Sequence, residues 1–167
     1  MEALRIYRIS DRYIRFLHSR DGRVQYNKNS RRPYVGVVLI EGSYKYFVPM
    51  ESPKPNHANI KSGKHIMQLD GGRLGLLGFN NMVPVRDSEI AEINFAAEPD
   101  KNYALLLSKQ AAFCNRNRAK IMEKASQTYY DAVNGKNKFL VQICCDFKAL
   151  EKACRQFDPT RNNKGNA

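Results

Sequence analysis

The side chains best suited to chemistry sit in Glu51-Ser52-Pro53-Lys54-Pro55-Asn56-His57, where a hydroxyl, an ammonium and an imidazole fall within seven residues. A second cluster lies upstream, Tyr26-Asn27-Lys28-Asn29-Ser30-Arg31-Arg32-Pro33-Tyr34. A phosphodiester site needs cationic donors for the phosphate and a group that can move a proton. A sheet that brought the two clusters together would supply both.

The chemistry open to such a site needs no metal. RNA carries its own nucleophile, the 2′-hydroxyl. A protein cleaves it by deprotonating that hydroxyl, stabilising the phosphorane and protonating the leaving oxygen. Lys54, Arg31 and Arg32 supply charge, and Ser52 can hydrogen-bond a non-bridging oxygen. A desolvated Lys54 could exchange protons. His57 is the ordinary candidate for acid or base, and the Tyr26 hydroxyl could position the attacking group. Candidate RNA contacts around them are Arg20, Arg23, Lys28, Ser30, Tyr34, Glu51, Asn56, Lys61 and Lys64. Each has a plainer reading. Ser52-Pro53 could simply end a strand, Lys54 could be one more solvated lysine, and Tyr34 could pack as the first residue of its strand. Arg31-Arg32 could bind phosphate without catalysing anything. His18 and His65 read as ordinary exposed histidines.

Other chemistries lack their motifs. There is no G-x-x-x-x-G-K-[ST] and no G-x-G-x-x-G, so no nucleotide cofactor is expected. The acidic stretch from Asp87 to Asp100 has no metal-ligand pattern and reads as solvated surface. Cys114, Cys144, Cys145 and Cys154 form no C-x-x-C pair and read as buried free thiols of a reducing cytoplasm. The net charge of +12 points to a polyanion. It is uneven: residues 1–65 hold 13 Lys and Arg against 5 Asp and Glu, a surplus of +8, together with all three histidines. At 167 residues and 43% hydrophobic, the chain fits one domain over residues 1–158 and a polar, disordered tail over 159–167. No apolar run reaches bilayer length and no signal segment opens the chain, so no membrane partner is expected.

The elements that must position these residues begin with strands. Leu4 to Ile9 alternates apolar and polar side chains. Ser10-Asp11 caps a short helix carrying Tyr13, Ile14, Phe16 and Leu17, which ends near Asp21-Gly22. Tyr34–Ile40 and Tyr44–Met50 form a hairpin turned by Glu41-Gly42-Ser43. Prolines and asparagines make Glu51 to Gly63 a loop. Further strands are predicted at His65–Leu69, Leu74–Leu77 and Met82–Val85, with Gly71-Gly72 turning between the first two. From Asp100 the period becomes helical, through Tyr103, Leu106, Leu107, Ala111 and Cys114, then from Ala119 to Val133. Gly135 stops that run, and a last helix spans about Asp146 to Phe157. Strands first and helices after them predict an α+β fold, a small curved sheet or barrel flanked by helices.

In this order the segments resemble the ToxN/AbiQ family of type III toxin–antitoxin endoribonucleases. The likeness rests on Arg5-Ile6-Tyr7-Arg8-Ile9-Ser10, on Tyr13-Ile14-x-Phe16-Leu17, on Tyr26, and on the run from Arg32 to Val38. It continues through Tyr46-Phe47-Val48-Pro49-Met50-Glu51-Ser52-Pro53-Lys54, His57, Gly75-Leu76-Leu77 and Asn81-Met82-Val83-Pro84-Val85. Within the family the resemblance is to the CptN branch. The resemblance implies a compact MazF-like antiparallel β-barrel core with flanking helices. It implies metal-independent, sequence-selective RNA cleavage that leaves a 2′,3′-cyclic phosphate. It also implies inhibition by a repeat RNA antitoxin, folded as a pseudoknot, in a cyclic protein–RNA hetero-oligomer, with cellular or phage RNA as substrate. Ser52 and Lys54 match the central pair of the family motif, and Tyr26 with one of Arg31 or Arg32 matches its upstream tyrosine and basic residue. Some relatives carry lysine where this chain has arginine. Arginine binds phosphate but is a poor proton carrier, which gives Arg31 and Arg32 an electrostatic role and leaves proton transfer to Lys54, Tyr26 or His57. Two rival readings stay open at this point: a MazF-type ribonuclease toxin with a protein antitoxin, and a non-catalytic RNA-binding module.

Overall fold

The computed structural model describes residues 2–161. Strand β1 (Arg5–Ile9) leads into helix α1 (Asp11–Arg20), whose first turn is capped by the Ser10 hydroxyl on the Tyr13 amide at 3.4 Å. Tyr13, Ile14, Phe16 and Leu17 form its buried stripe, as their spacing predicts. Strands β2 (Tyr34–Glu41) and β3 (Tyr44–Glu51) make the expected hairpin, with Tyr34 opposite Pro49 and Leu39 opposite Tyr46 across an irregularity in register.

The remaining strands are short: β4 (Ile66–Gln68), β5 (Leu76–Gly78), β6 (Val83–Pro84) and β7 (Ile90–Glu92). All pairings are antiparallel, in the order β4-β5-β3-β2-β1-β7, with β6 also paired to β3. The path ends at β4 and β7, and no pairing joins them among the described residues. The sheet is therefore open where the resemblance implied a closed barrel. Closure needs edge strands long enough to tilt and stagger into register, and both edges here are three residues long. Strand β7 lies in the acidic stretch expected to be solvated. There Glu89 is 3% exposed, because Ser10, Arg12 and Ser88 all donate to its carboxylate at 2.7–2.9 Å.

Helix α2 (Lys101–Arg116) starts at an Asp100 cap, and α3 (Arg118–Val133) stops before Asn134 and Gly135. Helix α4 (Lys138–Ile143) has no counterpart in the sequence reading, since six residues are too few to display a period. Helix α5 (Phe147–Gln156) is capped by Asp146. One core joins the sheet to these helices around buried Tyr13, Tyr46, Phe47, Phe79, Tyr129, Phe147 and Phe157. Within it, the Tyr46 and Tyr129 hydroxyls both donate to Glu151 Oε2 at 2.7 Å. All four cysteines are buried free thiols, and burial pushes Cys114 up to about 12. Pro159 and Thr160 form a turn, and Arg12 donates to the Pro159 carbonyl at 2.9 Å. The rest of the expected tail, 162–167, lies outside the described residues. Among the described residues no helix is long and apolar enough to cross a membrane.

Candidate active site

The Ser52–Lys54 segment leaves the sheet where β3 ends. Glu51 is still held in the ladder opposite Leu76 of β5. Three residues after Lys54, a short 3-10 turn (Pro55–Asn59) buries His57 to 2% exposure. The His57 Nδ1 accepts from the Lys54 amide at 3.3 Å, which places the ring proton on Nε2, 3.6 Å from Glu51 Oε2. The loop is thus clipped to a buried imidazole from behind. It is also pressed from below by the turn between β4 and β5. Gly75 has φ +106°, and a Cβ there would stand 1.9 Å from the Glu51 carbonyl oxygen. At Gly72, with φ +92°, a Cβ would stand 2.7 Å from the His57 carbonyl carbon. Only glycine permits both the conformation and the approach. The same φ explains why β5 begins at Leu76 and not at Leu74.

The upstream cluster is fixed by Asn27, which is 4% exposed. Its Nδ2 donates to the Ile9 carbonyl at 2.8 Å, and its own carbonyl accepts the Arg31 and Arg32 amides at 3.1 and 3.2 Å. Between these anchors Lys28, Asn29 and Ser30 take φ of +49°, +57° and +63° in succession. A left-handed conformation costs a non-glycine residue roughly 1–2 kcal/mol, and such strain concentrates where a site needs a fixed shape. Arg32 is 8% exposed; its Nε donates to the Tyr26 carbonyl at 2.8 Å, and its Nη1 is buried without an acceptor among the described residues.

The two segments face one groove of about 700 Å³. It is lined by Lys28, Asn29, Ser30, Arg31 and Ser52 together with Arg8, Glu98, Asp100 and Tyr103. Lys54 stands close enough to join the electrostatics. Desolvation first, then the charges of Arg32 and Lys54, lowers the Lys28 pKa below the usual lysine value, against a smaller opposing pull from Glu51. The sheet therefore does bring the clusters together.

Other candidates are placed elsewhere. Tyr26 is 75% exposed, stacks on His18 with ring centres 4.8 Å apart, and lines a second cavity of about 290 Å³ that shares Lys28 and Asn29. Tyr34, a candidate RNA contact, is 1% exposed inside the sheet, and this corrects that expectation in favour of packing. Its burial raises the phenol pKa. Arg20 lies over the Phe16 ring at 5.0 Å, Arg23 pairs with Asp21 at 3.0 Å, and Lys64 pairs with Asp131 at 3.4 Å. Asn56 and Lys61 are exposed. The sequence reading missed Asn27, Gly75 and the groove-lining Arg8, Glu98, Asp100 and Tyr103. Asp100 was legible as a helix start, but nothing local could show that it lines the same groove as Ser52. Among the described residues no group of three or more His, Cys, Asp or Glu is placed to hold a metal ion.

The antiparallel α+β core thus carries a hydroxyl and several cations in one groove. The family model for toxin ToxN of type III toxin–antitoxin systems matches residues 5–155, and the chain belongs to that family. The endoribonuclease ToxN of Bacillus thuringiensis subsp. kurstaki is 35% identical over 162 residues, covering 92% of this chain and 84% of the relative. A solved type III toxin, selectively inhibited by a non-coding RNA pseudoknot, superposes with a TM-score of 0.83 at 32% identity, covering 93% of this chain and 98% of its own. AbiQ, a lactococcal anti-phage endoribonuclease of a type III system, superposes equally, with a TM-score of 0.83 at 29% identity and coverage of 93% and 98%.

Proposed function

We propose that this chain is a metal-independent endoribonuclease toxin that cuts RNA by 2′-hydroxyl attack and is held inactive by a repeat RNA antitoxin. The observation that carries the reading is the groove, which Ser52 lines together with Lys28, Ser30 and Arg31, with Lys54 within electrostatic reach. Ser52 donates to a non-bridging oxygen, and Arg31 and Lys54 hold the charge that grows on the phosphorane. Lys28, whose ammonium is destabilised by desolvation and by Arg32 and Lys54, takes the proton from the 2′-hydroxyl. The 2′ oxygen bonds to phosphorus, the bond to the 5′ oxygen breaks, and the Lys54 ammonium protonates the leaving oxygen. A 2′,3′-cyclic phosphate and a 5′-hydroxyl result. Arg32 fixes the turn and adds a permanent charge. His57 positions Lys54 from behind the loop, and Tyr26 offers a face on which a neighbouring base stacks.

The relatives support RNA rather than protein as the antitoxin, since one solved type III toxin is inhibited by a non-coding RNA pseudoknot; a cytoplasmic location and an assembly closed by RNA bridging successive protein surfaces belong to the same proposal. The likeness to a MazF-type core belongs to the same proposal as a kinship of strand order, and superposition on such a toxin tests it. The defining experiment is cleavage of a defined RNA followed by analysis of its ends. Ser52→Ala and Lys54→Ala should each slow cleavage at least about tenfold while folding normally. Co-expression with the repeats upstream of the gene should relieve toxicity and yield a protein–RNA complex. Two fully active variants would place the site elsewhere; free protein with toxicity unrelieved would remove the RNA antitoxin. RNA bound but left uncut by the wild type would favour a non-catalytic module.

A further inference from the structure

Helix α2 carries one amide in an otherwise apolar and aromatic stripe. Tyr103, Leu107, Gln110 and Cys114 follow one another at helical spacing, and the last three are buried. Gln110 is 1% exposed. Its Nε2 donates to the Leu74 carbonyl at 2.8 Å, while its Oε1 is buried with no partner among the described residues. A buried polar atom left unpaired is costly, so a methionine or leucine would suit the core better at this position. The bond to Leu74 is what the amide adds.

Leu74 stands at the start of a relay to the Ser52 loop. It directly precedes Gly75, where a Cβ would stand 1.9 Å from the Glu51 carbonyl oxygen. The same hairpin touches the loop twice more. Gln68 Nε2 donates to the His57 carbonyl at 2.8 Å, and Gly72 packs against that carbonyl. The turn is closed on itself, with the Leu69 amide on the Gly75 carbonyl at 2.9 Å and the Leu74 amide on the Leu69 carbonyl at 3.0 Å. Gln110 ties this closed unit to a 16-residue helix.

We infer that Gln110 is a positioning residue for the Ser52–Lys54 loop, acting through the β4–β5 turn. The inference rests on the ribonuclease reading and deepens it. Gln110 does not line the groove, yet its bond sets where the loop meets the scissile phosphate. Without the donor, the half-buried Leu74 can turn its carbonyl to water, and Gly75 and Glu51 move with it.

Gln110→Met keeps the length of the side chain and removes the donor. It should lower kcat about tenfold, a fraction of the loss that a misplacement of about 1 Å can bring, and leave KM for RNA nearly unchanged. Its urea midpoint should stay at the wild-type value or rise, because the unpaired oxygen is gone. Gln110→Glu should restore the rate at about pH 6, where burial keeps the carboxyl protonated and able to donate. Combined with Gly75→Ala, Gln110→Met should slow cleavage by no more than about twofold further, since both act through one turn. A wild-type kcat in Gln110→Met overturns the inference, as does a collapsed midpoint, which marks a structural role. Losses that multiply in the double variant, or a Gln110→Glu as slow as Gln110→Met, overturn it too. If the wild type cuts nothing, the ribonuclease reading fails by itself. Hydrogen exchange then decides the tether: the Lys54 and His57 amides, bonded to each other's residues at 3.3 and 3.0 Å, should exchange about tenfold faster in Gln110→Met. Unchanged exchange would refute it.

Discussion

Replacing Gly75 with alanine should separate the positioning of Ser52 from the stability of the fold. The new Cβ would stand 1.9 Å from the Glu51 carbonyl oxygen, where ordinary contact begins at 3.4 Å, so one backbone must retreat by about 1.5 Å. The retreating atom belongs to the residue next to Ser52. A misplacement of about 1 Å can cost roughly 10²-fold in rate, and we expect a loss of about that size in single-turnover cleavage. Stability falls too, by at least about 1–2 kcal/mol, because alanine is strained at positive φ. Gly71→Ala supplies the control. Gly71 has φ +62° but nothing within 4 Å of its Cβ. It should lose only the conformational strain, about 1–2 kcal/mol by urea unfolding, and keep its cleavage rate. Equal rates for the two folded variants would refute the claim that the β4–β5 turn sets the position of the catalytic loop.

On the proposed mechanism Lys28 must be unprotonated to accept a proton. Because its pKa lies below the usual lysine value, the cleavage rate should rise with pH and level off before the ordinary lysine range; in Lys28→Arg, which stays charged, the rate should be low and lack that rise. Cleavage in EDTA should run at a near-normal rate, and a loss restored by magnesium would sink the cation-only mechanism. Burial alone would raise the Glu89 pKa, but hydrogen bonds from Arg12, Ser10 and Ser88 outweigh it and leave the pKa lowered. Its stabilisation is therefore present above the ordinary carboxylate value and is lost as pH falls through the lowered one. Urea unfolding should find Glu89→Gln about 1–3 kcal/mol less stable than wild type at pH 7, with the gap closing toward pH 3.

What was legible in the sequence was local. The buried stripe of α1, the β2–β3 hairpin and the starts of α2 and α5 are each written in spacing and capping residues that need no partner. The misses share the opposite property. Strand β7 exists because β1 accepts it at Arg8 opposite Ala91, and its own three residues carry no strand period. Glu89 reads as surface until Ser10 and Arg12 converge on it. Tyr34 could be read both as an RNA contact and as the packed first residue of its strand, and its burial in the sheet decides for packing. In the groove, Ser52, Lys28 and Arg31 could be nominated by residue type, but Glu98, Asp100 and Tyr103, which line it with them, come from the other half of the chain. The left-handed run at Lys28-Asn29-Ser30 was equally hidden. Asparagine tolerates that conformation, but lysine and serine give no such sign.

The same turn bears on the chain's use of arginine where some relatives of the family carry lysine. Arg31 and Arg32 cannot release a proton near neutral pH, so neither can serve as base. Their charges are permanent, and permanence has a use. Arg32 is 92% buried, since 8% of it is exposed, and it is pinned by the Tyr26 carbonyl at 2.8 Å. Its charge cannot swing away from Lys28 or be neutralised beside it. Together with desolvation it lowers the proton affinity of Lys28, and the strained turn holds Lys28 against the repulsion. A lysine at position 32 could share or lose its proton and relieve that pressure. Arg32→Lys should therefore bind RNA with little change, because the charge is kept, yet shift the pH–rate profile upward as Lys28 regains its affinity for a proton. A profile that stays in place would mean that Arg32 acts on the fold of the turn alone and that the base is another group.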